Sequence, residues 1–259
     1  MRKRLIRLLG GHRNKVFLTD GRVKIVWKDG FKREKQIREG VLLENFVAVH
    51  TGIKSRMLVD KSKPVEEENG ELVTYFNYVQ GEIRYPWNLE EIASAAKLLT
   101  KFHSLFPGAQ KMQPFGTERL HLIRLHLDFA RGNVLFQPRT AIAVGVIDFE
   151  TTVKGPVEQE LGRTLSFLLV DSPSYLSLRG VPTSRRDDVA ISTIRSPRSF
   201  QSLAMTFRQR FNTFLINYPL PFTKDDVVNW TLRYLTEEDY GDLNNIRDKV
   251  LNFLSSSRA

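Results

Sequence analysis

Over the first eighty residues apolar and polar positions alternate in short runs, whereas beyond residue 88 they recur mostly at helical spacing. Lys15 to Leu18 and Val23 to Trp27 are β-type segments on either side of Thr19-Asp20-Gly21-Arg22, a hairpin signal. Phe31 to Phe46 is charged but carries Ile37, Val41, Leu42 and Phe46 at helical spacing, which predicts a helix. Two more β-type runs follow, Arg56 to Val59 and Leu72 to Val79, the second after a polar turn at Glu66 to Gly70. The strand pattern stops at Gln80-Gly81-Glu82. Asn88 and Glu91 make a capping box ahead of Leu89, Ile92, Ala96, Leu99 and Phe102, one apolar helical face. A loop leads to the stretch His121 to Phe136, and a strongly apolar β-run covers Ala141 to Phe149. Helical patterns close the chain near Ser199 to Ile216, Lys224 to Leu235 and Leu243 to Leu254. Ahead of them, residues 172–198 carry Pro, Ser, Gly and Arg and read as an exposed insertion or lid. A β-rich first third joined to a helical remainder predicts an α+β protein of two lobes, 1–79 and 80–259, with the hinge near Tyr78 to Gly81.

Composition narrows this picture. With 259 residues, 41% hydrophobic and 26% charged, the chain suits an ordinary globular protein, one large domain or two modest ones sharing a cleft. It has no cysteine, which removes disulfides, thiolate nucleophiles and cysteine metal sites and fits a reducing compartment. No apolar run approaches the length of a membrane span, and the basic opening Met1 to Gly10 has its apolar run broken by Arg7, so a cytoplasmic protein is expected. The net charge of +10 is concentrated in residues 1–60 and again in 172–210, where seven arginines face only Asp187 and Asp188. Such clusters attract phosphates of nucleotides, nucleic acid or anionic lipid, or they are simply solvated faces. The expectation is no obligate nucleic acid partner and at most weak association with anionic surfaces.

The chemistry is concentrated in His126-Leu-Asp128-Phe-Ala-Arg-Gly-Asn133-Val-Leu, followed by Ile147-Asp148-Phe149-Glu150. Phosphoryl transfer from ATP needs a carboxylate to orient the attacking hydroxyl and accept its proton, and oxygen ligands to hold Mg²⁺ against the phosphates. Asp128 suits the first task. Asn133, five residues on across a tight loop, and Asp148, at the end of a buried strand, suit the second, with Glu150 as outer support. The other reading of the same residues is a hairpin with a capping Asp, a turn Asn and a strand-terminal Asp.

These motifs resemble those of the aminoglycoside phosphotransferase and choline kinase superfamily, relatives of protein kinases, whose pattern is His-Gly-Asp-Leu-His-x-x-Asn-Val-Leu and then Ile-Asp-Phe-Glu-Asp. Here Leu127 stands in place of the glycine and Thr151 in place of the last acid. The resemblance extends to Gly10-Gly11-His12-Arg13-Asn14, similar to the turn whose backbone covers the ATP phosphates. It implies a strand lysine on the phosphates paired with a helix glutamate: Lys24 with Glu39, Lys28 and Glu34 being the second choices. It also implies adenine contacts from the backbone near Tyr78 and Val79, a bracing role for His126, and a structural role for His103. Glu160 replaces the family's aspartate in Gly155-Pro156-x-x-x-Glu160-Leu, which leaves open whether it braces the catalytic loop. The implied protein is a two-lobed, protein-kinase-like phosphotransferase that uses ATP and Mg²⁺ on a hydroxyl of a small molecule such as a sugar, amino alcohol or antibiotic.

Two alternatives stand beside that reading. A Ser/Thr protein kinase is disfavoured because Leu127 and Ala130 occupy the positions of its characteristic Arg and Lys, and only eleven residues separate Asp148 from Glu160. A catalytically silent nucleotide-binding scaffold using its basic surface would have no need for Asp128, Asn133 and Asp148 together. The arginines of 172–210 suggest an acceptor that is neutral or anionic rather than cationic.

Overall fold

In the computed structural model, described for residues 6–7, 14–84, 86–106, 109–112, 119–130, 132–170 and 208–237, the chain first builds a sheet of short strands interrupted by one long helix. Strands β1 (Ile6–Arg7), β2 (Lys15–Thr19), β3 (Arg22–Val26), β4 (Glu66–Glu68) and β5 (Glu71–Asn77) form one antiparallel sheet in the order β1-β2-β3-β5-β4. The β2–β3 turn places Asp20 and Gly21 at positive φ, 48° and 73°, the conformation a two-residue hairpin of this hand demands. Asn69 and Gly70 repeat the device between β4 and β5, so the polar segment expected as a turn from Glu66 is a strand through Glu68 and a turn only thereafter.

Alternation along β3 decides what each face carries. Val23, Ile25 and Trp27 point inward, and across the ladder Val23 opposes Phe76 and Ile25 opposes Thr74. Against that face lies helix α1 (Glu34–His50), entered through a 3-10 turn at Gly30–Arg33, with Ile37 and Val41 in the small core. Farther along α1, Val47 belongs to the second, larger core. Burying each of these aliphatics is worth roughly 1.5–3 kcal/mol. The segment expected as a strand at Arg56 to Val59 forms no ladder. It crosses between the lobes, bridged by Leu58 to Phe76 on one side and by Lys54 to Gly145 on the other.

The remainder is dominated by helices. Asn88 caps α2 (Leu89–Ser104): its side chain accepts from the Glu91 N–H at 2.9 Å, and Glu91 Oε2 accepts from the Asn88 N–H at 2.8 Å. Strands β6 (Ala109–Met112), β7 (Arg119–Leu125) and β10 (Val153–Pro156) form a second antiparallel sheet, and β8 (Val134–Phe136) pairs with β9 (Ala143–Val146). Helix α3 (Val157–Val170) packs on α5 (Lys224–Glu237), with α4 over residues 208–216 between them in sequence. Ala95, Leu99, Phe102, Phe129, Phe149, Leu161 and Phe214 make the large core on which the loop at 126–133 rests. The architecture is the α+β, two-lobed, protein-kinase-like one, with a small antiparallel sheet plus one helix and a larger helical part. Gly10, Gly11, the lid at 172–198 and the last expected helix at 243–254 lie outside the described residues. Among the described residues no helix is long and apolar enough to cross a membrane.

Candidate active site

The loop between β7 and β8 brings two of the expected site residues into direct contact. Asn133 Nδ2 donates to Asp128 Oδ2 at 2.7 Å and to the Asp128 carbonyl at 2.9 Å. With its amide nitrogen so engaged, Asn133 has its Oδ1 available for other partners. The Asn133 carbonyl accepts from the Ile147 N–H at 2.9 Å, which ties the loop to the end of the β9 run and so to Asp148.

Asp148 follows β9 in a left-handed conformation, φ 70° and ψ 68°, and opens a 3-10 turn, Phe149–Thr151. Burial pushes its carboxyl up to about 7, against the opposing pull of Arg56, and the neighbouring carboxylates Glu150, Glu44 and Asp128 push the same way as burial. Asp128 and Asp148 therefore share one electrostatic environment. The three residues singled out in the sequence converge on one site.

Around them the loop is braced from three directions. His126 is fully buried; its Nδ1 accepts from the Asp128 N–H at 3.3 Å and its Nε2 faces the Ile147 carbonyl at 3.1 Å. Those partners require a neutral ring protonated on Nε2, and burial holds its pKa below the usual imidazole value. Glu160, also fully buried, accepts from the backbone N–H of His126 and from that of Leu127 at 2.9 Å. Burial alone would raise the Glu160 pKa, but nearby His103 and His126 and these N–H donors outweigh it and hold the carboxyl below its ordinary value. The glutamate therefore does reach the loop despite standing where the family has aspartate. His103 joins this network from behind, with its Nε2 3.8 Å from Glu160 and its Nδ1 2.5 Å from the Tyr218 hydroxyl. Thr151, where the family pattern has an acid, donates its hydroxyl to the His126 carbonyl at 2.7 Å.

Glu150 points toward the sheet. Asn14 Nδ2 donates to its Oε2 at 3.2 Å, Arg33 lies 3.5 Å away, and Gln36 donates to its carbonyl at 2.7 Å. Asn14 Oδ1 in turn accepts from the Lys28 N–H at 3.1 Å, so Asn14 joins the turn after β3 to the Asp148 turn. Tyr78 is half-exposed after β5, and its N–H already donates to the Gly21 carbonyl at 2.9 Å. Val79 lies beside it, partly buried, in the linker that leads to the Glu82–Phe136 bridge.

The expected lysine–glutamate pair is not brought together. Lys24 stands on the outer face of β3, where its Nζ lies 2.5 Å from Glu68 and 5.4 Å from the Tyr75 ring centroid. Glu39 is exposed on α1, and Glu34 pairs with Arg38 at 2.7 Å. Lys28, in the turn beyond β3, is exposed as well. The inner face belongs to Val23, Ile25 and Trp27, and by alternation no lysine of β3 reaches it.

What occupies that place is a pair the motifs did not single out. Glu44, 1% exposed on α1, takes Arg56 in a two-point clasp, Nε to Oε1 at 2.6 Å and Nη2 to Oε2 at 2.8 Å. Glu44 Oε2 also accepts from the Asp148 N–H at 3.2 Å, and Arg56 stacks over Phe76 at 4.7 Å. A signal for Glu44 was present: it falls three residues after Val41 and three before Val47, on the apolar stripe of α1.

Comparison with known proteins agrees with this geometry. The model of the phosphotransferase enzyme family matches residues 109–177, the segment that holds Asp128, Asn133 and Asp148. No curated protein sequence matches the chain. The fold is similar to that of an aminoglycoside phosphotransferase from Streptomyces rimosus, at 10% identity and a TM-score of 0.56, covering 88% of this chain and 90% of that one. It is also similar to a microcompartment-associated aminopropanol kinase, at 13% identity and a TM-score of 0.51, covering 91% and 93%. A third is the GDP complex of an aminoglycoside 2'-phosphotransferase variant, at 15% identity and a TM-score of 0.50, covering 94% and 93%. Family model and fold thus agree with the resemblance carried by the motifs.

Proposed function

We propose that this protein is an ATP- and Mg²⁺-dependent small-molecule kinase that moves the γ-phosphate to a hydroxyl of a sugar, amino alcohol or antibiotic-like acceptor. The observation that carries the reading is the 2.7 Å contact of Asn133 with Asp128, on a loop stitched to the turn that presents Asp148. A capping Asp and a turn Asn in an ordinary hairpin would have no reason to share an electrostatic environment with a second acidic residue, Asp148. In its favour, too, are a matched phosphotransferase segment and a fold that holds GDP in one similar structure.

In this reading the Asp128 carboxylate faces the acceptor hydroxyl, orients it and takes its proton as the oxygen attacks. Asn133, by pinning one Asp128 oxygen, sets which carboxylate edge meets the acceptor. Asn133 Oδ1 and the Asp148 carboxylate would hold Mg²⁺. Among the described residues no three His, Asp or Glu side chains form a cage, and so small a donor set suits an ion that takes its remaining ligands from phosphates and water. Bound there, Mg²⁺ would neutralise the charge of the transferring phosphoryl group. Gly10, Gly11 and Asn14 would cover the phosphates, and the backbone at Tyr78 and Val79 would meet the adenine. We divide the chain accordingly into a nucleotide-holding lobe, 1–79, and an acceptor-holding lobe, 80–259.

The test is a γ-phosphate transfer screen over sugars, amino alcohols, antibiotics and generic protein substrates, with wild type and Asp128→Asn side by side. Loss of the base should lower kcat by roughly 10²- to 10⁴-fold with nucleotide affinity nearly unchanged. Equal turnover in the variant would remove Asp128 from this role, and a protein substrate as best acceptor would overturn the small-molecule reading.

A further inference from the structure

The cation at the inner end of the nucleotide cleft comes from outside β3. We propose that Arg56, clasped by Glu44, meets the nucleotide phosphates beside Asp148, in the place that the sequence resemblance gives to a strand lysine. The inference deepens the phosphotransferase reading and rests on it.

Three observations lead there. The first is exclusion: Val23, Ile25 and Trp27 fill the inner face of β3, and Lys24 is held on the opposite face by Glu68 and Tyr75. The second is position. Arg56 lies on the inner face, over the Phe76 ring, in the segment that joins the lobes. Lys54 N–H donates to the Val144 carbonyl at 2.9 Å, Ser55 Oγ to the Val146 carbonyl at 2.6 Å, and the Asn77 N–H to the Met57 carbonyl at 2.7 Å. The guanidinium is thereby fixed from both lobes, and its clasp partner Glu44 holds the Asp148 backbone. The third is chemical form. A guanidinium presents two edges, so Nε and Nη2 can stay on Glu44 while Nη1 serves a second anion. Among the described residues no hydrogen bond uses Nη1, and the side chain keeps 7% of its surface exposed. A lysine on the same glutamate would offer a point charge without that division of labour.

The clasp also explains why one cation tolerates such deep burial. Glu44, Asp148 and Glu150 all act electrostatically to hold Arg56 charged in the interior. A nucleotide phosphate would be the second anion for Nη1.

The experiment separates phosphate recognition from folding. ADP with Mg²⁺, and adenosine, are titrated calorimetrically into the full chain as wild type, Arg56→Met, the paired Glu44→Met/Arg56→Met and Lys24→Gln, with thermal melts to establish folding. The readout is the ratio of ADP to adenosine affinity, which a merely structural residue leaves unmoved. Loss of Arg56 should cut that ratio roughly 10- to 100-fold, about the worth of one hydrogen bond to a charged group, with adenosine affinity held. Where Arg56→Met leaves Glu44 buried and unpaired and the protein unfolds, the paired variant removes both charges and gives the same reading. A ratio that survives in a folded protein without Arg56, or that vanishes in Lys24→Gln, overturns the inference while leaving the kinase reading standing. A wild type that binds neither ligand removes both.

Discussion

Leu127 sits at φ 57°, a left-handed conformation, at the position where the family pattern has glycine. Glu160 imposes this by taking the N–H groups of residues 126 and 127, so the strain is held by a buried carboxylate. Leu127→Gly should therefore keep or raise the melting temperature, whereas Leu127→Val, β-branched in a left-handed well, should cost about 1–2 kcal/mol in a denaturant titration. Asp148 carries a different tension. Its folded pKa of about 7 lies above the unfolded value of 3.8, so the folded chain holds a proton that the unfolded chain releases. That contribution to stability is full below pH 4 and is lost as pH rises through 7. Melting curves at pH 5 and pH 8 should show wild type losing stability between them, and Asp148→Asn should lose less while its phosphotransfer disappears. An unchanged pH response in the variant would place the titration elsewhere.

Helix α1 marks where sequence reading succeeds and where it stops. Its existence was legible from periodicity, as was the Asn88–Glu91 capping box of α2, because both depend on residues within a turn or two of each other. Its buried face was not: Leu42 and Phe46 are hydrophobic yet 45% and 44% exposed, while Glu44 sits in the core. A hydrophobicity pattern counts a carboxylate as surface, and only a partner twelve residues away, Arg56, makes this one an interior group. Alternation likewise puts Lys24 on the face of β3 opposite Val23 and Ile25, but which face packs inward is decided by α1, not by the strand. The loop that carries Asp128 and Asn133 was readable because the two interact across five residues. Gly40 shows how tightly α1 governs the site. A β-carbon there would lie 2.5 Å from the Phe149 carbonyl oxygen, one residue past Asp148. Alanine in a helix interior normally gains about 1 kcal/mol over glycine. Gly40→Ala should instead lower both the melting temperature and kcat, because backbone must move to admit it. A stabilised, fully active Gly40→Ala protein would mean that α1 slides freely on the Asp148 turn.

The two cores are joined in a way that bears on how the molecule melts. Ile37 and Val41 of α1 belong to the small core and Val47 of the same helix to the large one, so one rigid element is shared. The lobes are further stitched by the Lys54–Gly145 bridge, by Ser55 on the Val146 carbonyl and by Asn14 on Glu150. Separating the lobes would break the Asp148 N–H bond to Glu44 and expose Glu44, Arg56 and Asp148 together. Calorimetry should accordingly give one transition rather than two. Ile37→Ala in the small core and Val47→Ala in the large core should both lower that single melting temperature, the former costing about 2–5 kcal/mol of stability and the latter less. Independent lobes would behave otherwise: Ile37→Ala would split off an early transition and leave the late one where it was. Because the Asp148 turn and the Arg56 clasp sit at the joint, any substitution that uncouples the cores should depress affinity for MgADP before it unfolds the large core, and the two effects can be read from the same sample by melting it with and without MgADP.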